Sequence, residues 1–342
     1  MMLAVALSIL LGVADDHTLG SRQSHRGEKV LSRISPLTGL TPPPAGGKTI
    51  LLLRGHKMTR MMTDRAITYA RSCAKADPPC AVWISLDETV ATNASAEFKA
   101  YCKVAAQDVL GSHLHIHRFS SADVARVWPV LEEARKRHPL HKSQVSPHHW
   151  ASSGYGYHAE SITNWFLGLP LGTQSAVAWL WVMEVDVAFC GTDITEFFAL
   201  HQSSQHDLLG GCQDQDPNWF HRAAMSSAYE NYTAPFLPRK YGREMIQRYS
   251  AKMVAELLRA HRAGMHAWSE GAACTLAKIA RFTWRKIVAD TKGWIGLSVR
   301  GAPAFLVDER PEVFERHCRA TKLSNVENGT CCNGALFHPA KQ

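Results

Sequence analysis

The sequence predicts an α/β fold, a single domain whose mostly parallel central sheet is flanked by helices. Three observations predict it: short apolar runs that suit strands buried on both faces, helical stretches alternating with them from Thr49 to about Gly211, and a globular composition. Each return to a parallel strand needs a crossover, which the intervening helices supply.

Residues 15–47 are polar and rich in breakers, ending in LTPPPAGG, and read as a stem or linker. Order is expected from Lys48, where TILLLR makes the first strand and Met61–Ala74 a helix. AVWISLD is the second strand, Ala94–Leu110 a helix and HLHIHRF the third strand. SADVARVWPVLEEARKR reads as one amphipathic helix capped by Ser121. AVAWLWVMEVDVAF is the most apolar strand, followed by a short helix at Asp193–Leu200 and a strand at HDLLGG. Beyond it, Arg243–Arg262 and Glu270–Arg281 are expected to be helical, and Gly293–Arg300 to return to the sheet. The domain therefore spans 48–342, with a ligand-binding half at about 48–211 and a second half at about 212–342.

Lys and Arg outnumber Asp and Glu by 38 to 30, but the excess is scattered, which argues against nucleic acid as a partner and leaves room for one acidic ligand. Residues 1–14 carry an apolar run of signal-peptide length, too short to span a bilayer. It reads as a signal peptide or short signal anchor, although the usual basic segment before it is missing, and a misassigned start fits too. Any contact with a membrane is expected only through that anchor. The sequons at Asn93, Asn231 and Asn328 agree with the secretory pathway, in the Golgi or ER lumen or outside the cell. Nine cysteines without a CxxC pair or zinc-finger spacing fit disulfides in an oxidising lumen, with Cys73 and Cys80 the preferred local pair.

Glu184 and Asp186 stand two apart near the carboxyl end of the fourth strand, so both side chains are expected on one face and within reach of one divalent cation. In so apolar a run their charge needs compensation, and a hard cation such as Mn2+ or Mg2+ suits oxygen ligands. The alternative is a strand end whose acids are solvated or paired with arginines. This layout, VMEVDVAFCGTDITEFF, resembles that of the nucleotide-sugar-dependent glycosyltransferases of the GT-A fold, a Rossmann-like fold in which a hydrophobic strand runs into a DxD or ExD motif and a polar, Gly-containing turn. The resemblance implies transfer of a sugar from a nucleotide-sugar donor to a glycan or glycoprotein acceptor. It implies Asp186 as metal ligand and Glu184 as its partner at the metal shell or ribose.

Two further stretches resemble the same family. AWSEGAACTLAKIAR opens a helix with Glu270, which the resemblance implies as an acceptor-side acid and, in an inverting enzyme, the catalytic base. A helix-stabilising acid in the first turn is the other reading of Glu270. GALFHPAK carries His338, which the resemblance implies as a third metal ligand after a late strand. In this layout the loop at Asp214, Asp216, Trp219 and His221 suits an acceptor.

Elsewhere, Tyr155 and Tyr157 in SSGYGYH belong to a loop suited to stacking on sugar or base rings and to lining the donor pocket. His113, His115 and His117 alternate on one strand, the pattern from which a metal-dependent hydrolase starts, with His148, His149 or Asp186 as further ligands. A secreted carbohydrate-binding protein that keeps the fold without turnover is the non-enzymatic reading. With no GxSxG elbow, P-loop or GxGxxG fingerprint in the chain, hydride and phosphoryl transfer drop out.

Overall fold

The computed structural model describes residues 47–55, 60–88, 113–137, 157–184, 187–189, 194–215, 220–285, 287 and 336–337, all within the unit Pro42–Gln342. The predicted helix Ala94–Leu110 and strand Gly293–Arg300 lie outside these residues, as do the N-terminal run and nearly all of the stem. No helix among the described residues is long and apolar enough to cross a membrane.

The strands are β1 Lys48–Gly55, β2 Ala81–Asp87, β3 Leu114–Phe119, β4 Val177–Glu184, β5 Ala188–Phe189, β6 Leu208–Asp214, β7 Lys240–Ser250, β8 Trp284–Arg285 and β9 Leu336–Phe337. Seven of them form one sheet in the order β3-β2-β1-β4-β7-β6-β8, while β5 and β9 pair separately. β1 is parallel to β2 and β4, and β2 to β3, as expected of strands joined by helical crossovers. Only β7 runs against its neighbours β4 and β6. Because β6 and β7 share the sheet with β1–β4, the expected halves meet within one sheet.

The helices are α1 Arg60–Lys75, α2 Ser121–Val127, α3 Leu131–Arg137, α4 His158–Leu167, α5 Leu171–Ala176, α6 Ile194–Leu200, α7 Ser227–Thr233, α8 Ala251–Arg262 and α9 Ser269–Ile279. Alternation along the strands splits the core in two. Ile50, Leu52, Leu180, Val182 and Tyr249 face α4, α8 and α9. Leu51, Leu53, Trp181, Met183 and Ile246 face α1 and α6. The Cys73–Cys80 bridge joins the end of α1 to the start of β2, as expected, and Cys212–Cys274 fastens α9 to β6.

Three expected elements are corrected. The single helix over 121–137 is two, α2 and α3, because Pro129 has no N–H to donate and its ring clashes with the preceding turn. Trp128 accordingly leaves the helical region at φ −124° and ψ 74°. The cap of α2 is Ser120, not Ser121: its Oγ accepts from Asp123 N–H, and the Asp123 carboxylate accepts from Ser120 N–H at 2.8 Å. The helix expected from Arg243 begins only at Ala251, since residues 240–250 are held as a strand between β4 and β6. Buried Arg248 helps fix that strand, donating to the carbonyls of His201 (2.8 Å) and Ser204 (2.7 Å) and stacking on Trp179.

Candidate functional site

The chain leaves β1 toward β2 and β3 on one side and returns to β4 on the other, so the order of strands reverses between β1 and β4. In open α/β sheets the crevice beyond the carboxyl ends of two such strands is where ligands bind. Here it is flanked by Arg54, one residue before the end of β1, and Glu184, the last residue of β4, which stand opposite each other in register. By strand parity both share the face of Leu52 and Val182, and Asp87, buried at the end of β2, shares it too.

Arg54 Nη2 lies 3.8 Å from Glu184 Oε1, with the side chains 5% and 12% exposed. This is the arginine pairing weighed for Glu184. It leaves the arginine undersatisfied: Nε, Nη1 and Nη2 of Arg54 are buried without a hydrogen-bond partner among the described residues. Buried guanidinium donors are costly to leave unmade, and the arrangement suits an incoming anion with several acceptor oxygens. Arg54 was missed in the sequence, although a lone arginine closing the apolar run TILLLR was the available signal.

The strand expected to run through Phe189 ends at Glu184. Val187 N–H donates to the Glu184 carbonyl at 2.9 Å, and Arg65 of α1 donates to the Val187 carbonyl at 3.0 Å. Asp186, His338 and Tyr155 lie outside the described residues. Their chain neighbours are described: Ala188, two residues after Asp186, pairs antiparallel with Phe337, the residue before His338.

Glu270 sits partly buried in the first turn of α9. The residue before it, Ser269, accepts a hydrogen bond from the backbone N–H of His158, and Trp268 packs edge-on against Tyr157 with centroids 5.9 Å apart. The start of α4 is thereby joined to the start of α9, bringing Tyr157 to the segment that carries Glu270. Tyr157 is 1% exposed and its phenolic oxygen has no partner among the described residues. Burial, with Glu160 nearby, holds that phenol neutral far above the usual tyrosine range.

The three strand histidines are held separately. His113 Nδ1 lies 2.9 Å from the Cys80 carbonyl, His115 stacks on Trp83, and His117 Nδ1 lies 3.2 Å from Ser85 Oγ. Among the described residues they take part in no group of three potential metal ligands, and His148 and His149 lie outside those residues. Near the end of β6, a cavity of about 480 Å³ is lined by Arg137, Arg222 and Arg239 against one acid, Glu230. Asp214 beside it is ion-paired with Lys240 at 2.8 Å, whereas Asp216 and Trp219 are outside the described residues, as is the side chain of His221.

No protein-family model and no curated protein matches the chain. Among solved structures, core-mannan synthase A (CmsA/Ktr4) from Aspergillus fumigatus in its Mn/GDP form aligns over 73% of both chains at 10% identity and a TM-score of 0.36. The mannosyltransferase Ktr4p from S. cerevisiae aligns over 76% of this chain and 77% of its own at 12% identity and a TM-score of 0.36. Its complex with GDP aligns over 78% and 80% at 11% identity and a TM-score of 0.34. At that identity and superposition the likeness carries no inference about what this chain binds or does.

Proposed function

We propose that the chain is a nucleotide-sugar-dependent glycosyltransferase of the GT-A type, acting on a glycan or glycoprotein acceptor. The observation that carries this reading is the buried, undersatisfied Arg54 facing Glu184 where the order of strands reverses. A diphosphate offers the acceptor oxygens that the guanidinium lacks, and Arg54 would hold it at the end of β1. The carboxylates of Glu184 and Asp186, with the imidazole of His338, are a donor set that fits Mn2+ or Mg2+. The β5–β9 pairing supports that set, since it joins the segments on which Asp186 and His338 lie. A bound cation supplies charge neutralisation for the departing diphosphate.

Glu270 is the residue proposed to accept the proton of the acceptor hydroxyl. Its support is its place in the first turn of α9, fastened by Ser269 and Trp268 to the start of α4. Tyr155 is proposed for the donor pocket, while the buried ring of Tyr157 supports the wall behind it. All four cysteines among the described residues are in disulfides, which supports an oxidising secretory compartment.

The test is a thermal-shift titration of the full chain with UDP and GDP in the presence of Mn2+, repeated on Asp186→Ala. The reading expects a rise in Tm that the variant loses. No stabilisation by either nucleotide, or an equal rise in Asp186→Ala, would sink it. Binding without sugar transfer or donor hydrolysis would instead identify a non-catalytic carbohydrate-binding protein.

A further inference from the structure

A second polar group is buried in the helical layer, unrelated in sequence to the ExD segment. Glu160 on α4, His261 in the last turn of α8 and His266 just beyond it are 0%, 3% and 1% exposed. Two local features assemble them. Gly264, at φ +72°, ends α8 in a Schellman turn, with Gly264 N–H donating to the His261 carbonyl and Met265 N–H to the Ala260 carbonyl, each at 2.9 Å. The reversal folds His266 back on His261, the rings stacking at 5.2 Å. Ser226 fixes the returning segment, its Oγ accepting from His266 N–H at 3.0 Å and donating to the Gly264 carbonyl at 2.7 Å. Trp128 covers both imidazoles, at 5.3 and 6.3 Å.

Both rings present a nitrogen to the same carboxylate oxygen: His266 Nδ1 lies 3.1 Å and His261 Nε2 3.5 Å from Glu160 Oε1. Thr163 Oγ1 lies 2.7 Å from His261 Nδ1 and 3.1 Å from the Glu160 carbonyl, and this contact orients the ring so that its other nitrogen faces the carboxylate. A buried carboxylate oxygen that faces two ring nitrogens is a convergent ligand set, because all three offer a lone pair to a cation held between them. Among the described residues Glu160 Oε2 is buried without a hydrogen-bond partner, and neither lysine nor arginine is ion-paired with Glu160.

We propose that Glu160, His261 and His266 form a buried transition-metal site of the zinc class that ties α4 to the turn after α8. Two imidazoles and a carboxylate are a zinc ligand set, and tetrahedral bonds of about 2.0–2.1 Å put neighbouring ligand atoms about 3.3 Å apart. The observed separations of 3.1 and 3.5 Å bracket that edge. His261 ligates through Nε2 and His266 through Nδ1 with its proton on Nε2, while Glu160 Oε2 is free to complete the shell. The hydrogen bond from His261 to Thr163 is the outer contact that orients a metal-bound imidazole. The role is structural: the site anchors the loop whose next residues, Trp268 and Ser269, hold the start of α4.

The test uses full-length protein carrying Asp186→Ala, which removes the cation site of the transferase reading and separates the two outcomes. After chelation and dialysis, Zn2+ is titrated with thermal readout and Co2+ with visible absorption. About one equivalent per chain is expected, with Tm rising roughly 4 °C at a hundredfold excess over Kd. The signal is expected to persist in His115→Ala and to vanish in Glu160→Gln and His266→Ala with circular dichroism unchanged. No binding by the parent, or binding that survives both of the latter variants, would overturn the site. Should those variants fail to fold, X-ray absorption of zinc in the parent decides: two imidazoles with a carboxylate support the assignment, and any other shell refutes it.

Discussion

Replacing Arg54 by Met removes a guanidinium whose side chain is 5% exposed and whose nearest charge is Glu184 at 3.8 Å. At that separation the Coulomb attraction is about 4 kcal/mol for an effective dielectric of 20. Burying the two ions costs several kcal/mol, so the pair by itself comes close to cancelling. The spare binding capacity lies in the three guanidinium nitrogens that make no hydrogen bond among the described residues. A charge-assisted hydrogen bond is worth about 1.5–3 kcal/mol, so losing one such bond to a diphosphate weakens binding roughly 10- to 150-fold. Calorimetric titration of UDP and GDP with Mn2+ measures this. Tm also falls in Arg54→Met, because the Glu184 carboxylate, 12% exposed, loses the positive charge that faces it. The double variant Arg54→Met/Glu184→Gln recovers Tm but not affinity. Affinity within about twofold of the parent in Arg54→Met would show that the guanidinium makes no bond to the ligand, leaving Arg54 a structural partner of Glu184 alone.

Three further outcomes follow from the packing. Opening the Cys212–Cys274 bridge by a double Cys→Ser substitution frees a loop of 62 residues and should cost about 4 kcal/mol, a fall in Tm of roughly 5–10 °C by calorimetry; a fall below about 1 °C would show that the bridge contributes little. Ser250→Ala deletes the cap of α8, whose Oγ accepts from Met253 N–H and donates to Asp207, each at 3.2 Å; the urea midpoint should drop by an amount equivalent to about 1–2 kcal/mol without a change in slope. Burial lowers the His117 pKa to about 4, below the unfolded value of about 6.5. The unfolded chain therefore binds more protons between those values, and stability is full above pH 6.5 and falls as pH drops toward 4, by up to roughly 3 kcal/mol. His117→Asn should flatten that part of the stability–pH curve, and an unchanged slope would contradict the burial argument.

The first half of the sheet was legible because β1, β2 and β4 are short apolar runs bounded by polar residues, a pattern set locally by burial on both faces. β7 was not, since Arg243, Glu244, Met245 and Gln247 are all good helix formers and the strand exists only because β4 and β6 hold it from either side. Ser250 marks where the helix begins, but a serine within a polar run is an ambiguous signal. Pro129 was visible and its consequence underestimated. At the site, Glu184 was readable from one charge in an apolar strand, and Arg54 by the same rule. Their apposition was not, because strands more than a hundred residues apart become neighbours only through the sheet order. Glu160 and His266 are separated by 106 residues, and their meeting depends on the Schellman turn at Gly264, a local signal that says nothing about its distant partner.

Binding of a nucleoside diphosphate with a divalent cation at the crevice between β1 and β4 is tested most directly by a crystal structure of the full chain soaked with Mn2+ and GDP or UDP, read from the anomalous difference map at the manganese edge. The expected result is a peak ligated by Asp186, with Glu184 and His338 at its shell and a diphosphate oxygen within hydrogen-bond distance of Arg54. A manganese peak elsewhere, or nucleotide density away from Arg54, would contradict it.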